Sequence, residues 1–267
     1  MTDLLQNDVG LRSAGRARYG LLAVANPLPQ GWENGGIAFR SVGCEAPEII
    51  AICDVVDSTE IRPGDNAVFE PIFIRQTAAC AAMSKIGSVD MAGNRLSSTT
   101  EWALGRALVT GAGSSNPALA DATLVHDATD DNPTIAAISA VSCIEQTAAD
   151  LGFGAEITLH APFRAASYLT AANLLVDGLS PTGNPWIISP GYPGSDDGSA
   201  ADSVIRIWAT GPVWAGVTGM FPASSTGPLG WRQNYDAAIA YRLGMAAFDP
   251  CLNLSATFTV PACIGGS

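Results

Sequence analysis

Residues 132–176 read NPTIAAISAVSCIEQTAADLGFGAEITLHAPFRAASYLTAANLLV, and this stretch decides the class of fold. Asn132 is a good helix cap, and Pro133 suits the first helical position, where its missing N–H would be unpaired in any case. Ile135, Ile138, Val141, Ile144, Ala148 and Leu151 recur at helical spacing and predict one inward face, with Gly152 as the stop. A strand-like run, Ala155–His160, follows directly. Pro162 then opens a second helix to Val176, with Phe163, Ala166, Leu169, Ala172 and Leu175 predicted inward.

Toward the N-terminus, a further helix is predicted from about Asn94 to Thr110. Leu96, Ala103, Leu104, Ala107 and Leu108 form its stripe, and Gly111 ends it. Before it the chain reads as β: Ile37–Val42, Glu48–Val55 and Ala67–Arg75, with the turn Arg62-Pro63-Gly64-Asp65 between two of them. Phe69, Ile72 and Phe73 with Ile74 suggest a strand buried on both faces, or a bulge near Pro71. Gln76–Lys85 reads as a short helix. Toward the C-terminus, Trp186–Ser189, Ser203–Ala209, Pro212–Val217 and Leu254–Val260 are strand-like. Asp236–Phe248 is helical by its alanines and a long strand by its flanks. Ser189–Asp202 and Met220–Gly230 are loose stretches rich in Gly, Pro and Ser; loops of that length bind something or pack against another chain. The order β, then helices, then mixed predicts an α+β fold. It divides the chain into an N-terminal arm (1–35), an extended β region (36–92) and an α+β main body (93–267).

The 267 residues are 48% hydrophobic and 14% charged, with 43 Ala, 28 Gly and 17 Pro. This excludes a disordered chain. A formal net charge of -12 disfavours a general nucleic-acid binder, and no basic face is present to hold an anionic membrane. No run of about 18 apolar residues is present to span a bilayer. Lys85 is the single lysine beside twelve arginines. Three of these, Arg12, Arg16 and Arg18, cluster in the arm. The opening MTDLLQNDVG lacks the apolar segment of a secretory signal, which predicts cytosolic synthesis. The six cysteines (44, 53, 80, 143, 251 and 263) form no CxxC pair and have no nearby His, so reduced, mostly buried thiols are expected.

Familiar catalytic patterns are absent: no GxSxG, no GxxxxGK[ST] and no GxGxxG after a strand. His126 lies in an acidic stretch with Asp127, Asp130 and Asp131, and reads as a solvated loop His or as a base or ligand. His160 precedes a helix N-terminus, where a positive charge is disfavoured, so a neutral, buried, hydrogen-bonded imidazole is expected. Asp196 and Asp197 form a polar loop tip without the calcium-loop pattern. No catalytic, cofactor or metal residue is therefore assigned. Trp186, Trp208, Trp214, Trp231, Tyr192 and Tyr235 crowd the C-terminal half, as core or as subunit interface.

Several phrases then resemble a known group: Pro29-Gln30-Gly31-Trp32, Phe69–Phe73 followed by Cys80, Glu101-Trp102-Ala103-Leu104-Gly105 and Ile144-Glu145. To these add Ile157-Thr158-Leu159-His160-Ala161-Pro162, Gly191-Tyr192-Pro193-Gly194, Ala209-Thr210-Gly211-Pro212-Val213 and Asp249-Pro250-Cys251. Together they resemble virion structural proteins of tailed phages, and the element order resembles the Hong-Kong-97-type capsid fold shared with encapsulins. The resemblance implies an N-terminal arm, an extended β loop, a spine helix, and peripheral and axial regions. It implies a non-enzymatic, self-assembling shell subunit in the virion. Its partners would be many copies of itself and other virion proteins, with non-specific contact to packaged DNA through Arg12, Arg16 and Arg18. A decoration, connector or tail protein, or an enzyme without a recognisable motif, are the other classes. In that fold, autocatalytic crosslinking needs a lysine in the extended loop. Lys85 lies after that loop, which the resemblance places at about 36–75, and the expected spine of about 17 residues is short.

Overall fold

The computed structural model describes residues 18–40, 66–79, 85–153, 157–193, 203–224 and 237–261. Its helices are α1 (Leu21–Val24), α2 (Lys85–Thr110), α3 (Pro133–Asp150) and α4 (Phe163–Ala171). The strands are β1 (Asn26–Pro27), β2 (Ile37–Arg40), β3 (Asn66–Phe69), β4 (Ile72–Ala79), β5 (Thr123–Ala128) and β6 (Thr158–Pro162). They continue with β7 (Trp186–Ser189), β8 (Val204–Thr210), β9 (Val213–Val217), β10 (Phe221–Ser224), β11 (Ala237–Phe248) and β12 (Asn253–Thr259).

These elements build two halves, each around its own core. In the α3 half, a five-stranded mixed sheet runs in the order β5-β12-β8-β6-β7. Its strands alternate strictly. Leu159, Ala161, Ile205, Ile207, Ala209, Leu254, Ala256 and Phe258 face α3 and α4 in one core. The opposite face carries His160, Trp208, Thr210, Ser255 and Thr257, as the period of two requires. In the α2 half, β4 and the β9–β10 stretch flank β11, and α2 packs across the sheet through Leu96, Leu104 and Leu108. The hairpin β2–β3 forms a separate two-stranded sheet. Phe39 of β2 lies 5.6 Å from Phe69 and 4.9 Å from Trp214, which lays the hairpin against the α2 half.

The helix boundaries carry their own chemistry. Asn132 Oδ1 accepts the Thr134 N–H at 3.0 Å, with Pro133 in the first turn, as the sequence predicts. Gly111 and Gly152 end α2 and α3 at φ +68° and +89°, a conformation glycine adopts without a Cβ penalty.

Several expectations are corrected. The spine helix α2 has 26 residues and begins at Lys85, so the expected break between residues 92 and 93 falls inside it. Gly87 and Gly93 disguise this first part as a break. At Gly93 a Cβ would lie 3.2 Å from the Met220 sulfur, a tight contact with the end of a flexible side chain. Gln76–Ala79 is the end of β4, not a helix, held by eight consecutive pairings to β11. Asp236–Phe248 resolves in favour of the strand, and Phe221–Ser224 is β10 rather than loop. The helix opened by Pro162 ends at Ala171, where Asn173 takes φ +56°. Glu48–Val55, the turn at 62–65, Trp231 and Tyr235 lie outside the described residues.

The inward face of α3 is also corrected. Val141, Ile144 and Ala148 are buried, together with Ala136, Ala137 and Ala140, whereas Ile135, Ile138 and Leu151 are 51%, 41% and 40% exposed. Alanines bring the helix close to the sheet, and close packing displaces the larger side chains to the flank. On α4, Leu169 is fully buried and Phe163 is exposed.

The cysteine expectation fails at one position. Cys251 is disulfide-bonded, its partner lying outside the described residues, while Cys143 is a free thiol. Spacing along the chain carries no information on which thiols a turn brings together. Cys251 sits in the turn between β11 and β12, its N–H donating to Asp249 Oδ1 at 3.0 Å.

Candidate functional site

The phrases that look familiar in the sequence converge where the two halves meet. His160 on β6 is fully buried, and its Nδ1 lies 2.8 Å from the Tyr192 hydroxyl. Its Nε2 lies 2.9 Å from Thr210 Oγ1, and that hydroxyl donates to the Gly211 carbonyl at 2.9 Å. With the threonine proton so used, Nε2–H donates to Thr210 and Nδ1 accepts from Tyr192: a neutral ring with both nitrogens satisfied. Burial lowers the His160 pKa from 6.5 to about 3. Burial first, and then the charge of Glu101, push the Tyr192 phenol well above 10.0. The sequence expectation of a neutral, hydrogen-bonded His160 holds; its partners, 32 and 50 residues away, carry no local signal.

Around this trio the backbone packs at glycine distance. A Cβ at Gly191 would run into the α2 backbone at Trp102 and Arg106, and one at Gly105 would strike the Ser189 hydroxyl. The segment 101–105 thus seats directly on 189–192. At the other crossing, a Cβ at Gly211 would lie 2.8 Å from Asp249 Cβ, and the Asp249 N–H donates to the Pro212 carbonyl at 3.2 Å. Glu145 on α3 forms a second knot. Its Oε1 accepts from Ser180 Oγ at 2.7 Å and from Asn184 Nδ2 at 2.8 Å, tying the loop after α4 to the helix.

Among the described residues, Trp208 Nε1 and Ser255 Oγ are buried without a hydrogen-bond partner, on residues that face each other across β8 and β12. An unsatisfied buried hydroxyl costs about 1–3 kcal/mol of desolvation. Ser255→Ala is therefore expected to be neutral or to stabilise the subunit by about 1 kcal/mol. Urea unfolding of the two proteins measures this; a loss above about 1 kcal/mol would show that the hydroxyl has a partner.

The other candidates do not assemble into a chemical site. His126 lies on strand β5, not in a loop, with Nε2 2.8 Å from Ser139 Oγ. Asp127 accepts from Thr257 Oγ1 at 2.6 Å, and Asp130 accepts the Asn132 N–H at 2.8 Å ahead of α3. No group of three or more potential metal ligands occurs among the described residues. Asp196 and Asp197, like Arg12 and Arg16, lie outside the described residues. Arg18 sits 3.6 Å from Asp177 with both side chains in solvent. Of the aromatics, Trp186, Trp208 and Tyr192 are core.

The exposed apolar residues form a more extensive feature. On the sheet of the α2 half, the face away from α2 presents Phe73, 76% exposed and paired with Leu243. Beside them, Phe221 stacks on Tyr241 at 5.5 Å. Leu124, Ile135 and Ile138 stand exposed on β5 and α3, and Trp102 on α2.

No family model and no curated protein matches the chain. Solved structures do. A structure from Gordonia phage Cozz is 16% identical, covers 97% of this chain and 92% of its own, and superposes with a TM-score of 0.53. The capsid of an empty GTA particle, determined with C5 symmetry, is 11% identical over 93% of this chain and 98% of its own, with a TM-score of 0.55. A virus-like particle from Pyrococcus furiosus is 14% identical over 93% and 97%, with a TM-score of 0.51. The chain has the Hong-Kong-97-type capsid fold.

Proposed function

We propose that this chain is the self-assembling shell subunit of a phage virion, a structural and not a catalytic protein. One observation carries the reading: the fold match to particle-forming chains covers 93% of this chain and 97–98% of theirs. The surface supports it. With 14% charged residues and aromatics such as Phe73 in solvent, an isolated subunit exposes apolar area that repeated copies can cover.

In this reading α2 is the spine helix and β2–β3 lies at the base of the extended loop. The chain divides into an arm (1–35), an extended region and a main body, with the boundary between the last two moved from 92/93 to the start of α2 at Lys85. Lys85 opens α2 and stands outside β2 and β3, so the shell is held by non-covalent contacts rather than lysine crosslinks. Other virion proteins contact the assembled shell. Packaged DNA meets it through Arg12, Arg16 and Arg18 without sequence preference.

Electron microscopy of the purified protein tests the proposal. Closed shells of uniform diameter are expected. Rings or tubes would move the chain to a connector or tail role, and a stable monomer at micromolar concentration would overturn self-assembly.

A further inference from the structure

Residues 18–28 cross from one half of the subunit to the other, and each anchor is cut to fit. On the α3 half, the Ile188 N–H of edge strand β7 donates to the Tyr19 carbonyl at 2.7 Å. The Tyr19 ring fills the space above Gly178, where a Cβ would lie 2.6 Å from Cε1 and where φ is +86°. On the α2 half, Gly20 lies against the Glu101 carboxylate and Leu21 is fully buried. Asn26–Pro27 pairs in parallel with Trp214–Ala215, and Leu28 sits over Gly216, where a Cβ would lie 2.9 Å from Cδ1. Between the anchors the two halves do not close on each other. A groove of about 420 Å³ remains, walled by Val24 and Asn26 of the crossing segment, Ile157 and Ile187 of the α3 half, and Val213 and Trp214 of the α2 half.

Two short covalent connections cross side by side at the edge of this groove, Thr210-Gly211-Pro212 and Asp249-Pro250-Cys251; they are packed on each other at Gly211 and joined by the Asp249 N–H to the Pro212 carbonyl, and so form a single pivot. A hinge needs only a few such residues at element ends, and the open volume leaves room for the walls to approach or part. From this geometry we infer that residues 18–28 are a strap that sets the angle between the two halves, its docking on β7 and β9 deciding how far the groove opens. The strap stands on the contacts above. Its consequence for shell size rests on the proposed shell function, because a change of angle repeated over every copy changes the curvature of a closed assembly.

The test uses the full-length chain and the double variant Tyr19→Ala/Leu28→Ala, which removes two half-buried knobs and leaves both cores intact. Hydrogen exchange by mass spectrometry is expected to rise at least about tenfold in peptides covering 18–28 and 186–189. Peptides of α3 and β11 should stay within about twofold, as local opening requires. Spin labels introduced at Asp131 and Ser98 without using cysteine chemistry should give a broader or shifted distance distribution in the variant. Faster exchange throughout the chain would show that the segment is core and overturn the inference, as would a strap that loosens while the distance distribution stays unchanged. On electron micrographs, variant shells should spread over several diameters. If the unmodified protein forms no shells, the functional reading fails while the exchange and distance results still decide the strap.

Discussion

Gly191→Ala is expected to destabilise the subunit by on the order of 3 kcal/mol, a fall in melting temperature of roughly 6–12 °C. A Cβ at 191 would be driven into the Trp102 carbonyl and would come to 2.6 Å from the Arg106 nitrogen. Both atoms are helix backbone, so no rotamer change relieves the contact, and the segment 189–192 must move away from α2. That displacement pulls Tyr192 from His160, and from Trp208, whose ring it meets edge-on at 5.9 Å. One methyl therefore loosens both the polar junction at His160 and the core of the α2 half, to which Tyr192 and Trp208 belong. Gly183→Ala is the control. Gly183, unlike Gly191, has a positive φ of +92°, and nothing lies within 4 Å of the added carbon, so its cost is the backbone strain alone. Thermal unfolding of the three proteins measures the difference. A Gly191→Ala protein as stable as the unmodified one would show that the segment 189–192 makes room for the methyl and that contact with α2 does not select glycine at 191.

Acidification is expected to remove stability through His160 before the carboxylates titrate. The group is neutral when folded, with a pKa of about 3, and takes up a proton near 6.5 when unfolded. Its contribution is therefore complete above pH 6.5 and declines as the pH falls toward 3. At about 1.4 kcal/mol per pH unit, the loss is about 2 kcal/mol by pH 5 and on the order of 4–5 kcal/mol by pH 3. His160→Gln keeps a donor and an acceptor but cannot titrate. It should start less stable at pH 8 and show a flatter dependence between pH 7 and pH 5. His126, the other histidine, is common to both proteins and cancels in the comparison. Parallel curves would show that His160 is already protonated in the folded state.

The sequence was most legible where a rule is local. The Asn132-Pro133 start, the Gly111 and Gly152 stops and the Trp186–Ser189 strand depend on a few adjacent residues, and they stand where the pattern puts them. It was misleading where space decides. On α3 the pattern puts Ile135 and Ile138 inward, yet Ala136, Ala137 and Ala140 face the sheet beside Val141 and Ile144. Gly93, inside α2, reads in sequence as a helix break. The polar junction was half legible. A neutral His160 follows from its place before a helix start, but Tyr192 and Thr210 are supplied by strand order, which no local pattern encodes. The disulfide at Cys251 was hidden for the same reason.

The position of β12 governs when the molecule can form during synthesis. This strand, Asn253–Thr259, follows every other strand of its sheet in the chain, yet it lies inside that sheet, parallel to β5 on one side and antiparallel to β8 on the other. Until residue 259 has left the ribosome, β5 has no partner in its sheet, and the outer edge of β8 and the apolar faces of α3 and α4 stay uncovered. The α3 half thus cannot be completed in the order in which it is translated. Its longest-range pairings, which close loops of about 130 residues, are made last. A nascent chain stalled short of residue 253 carries two unpaired strand edges, the kind of template that recruits other chains into aggregates and calls for a chaperone. A chain that stops before β12 therefore cannot close the core of the α3 half, and the order of translation makes that closure a late, long-range step.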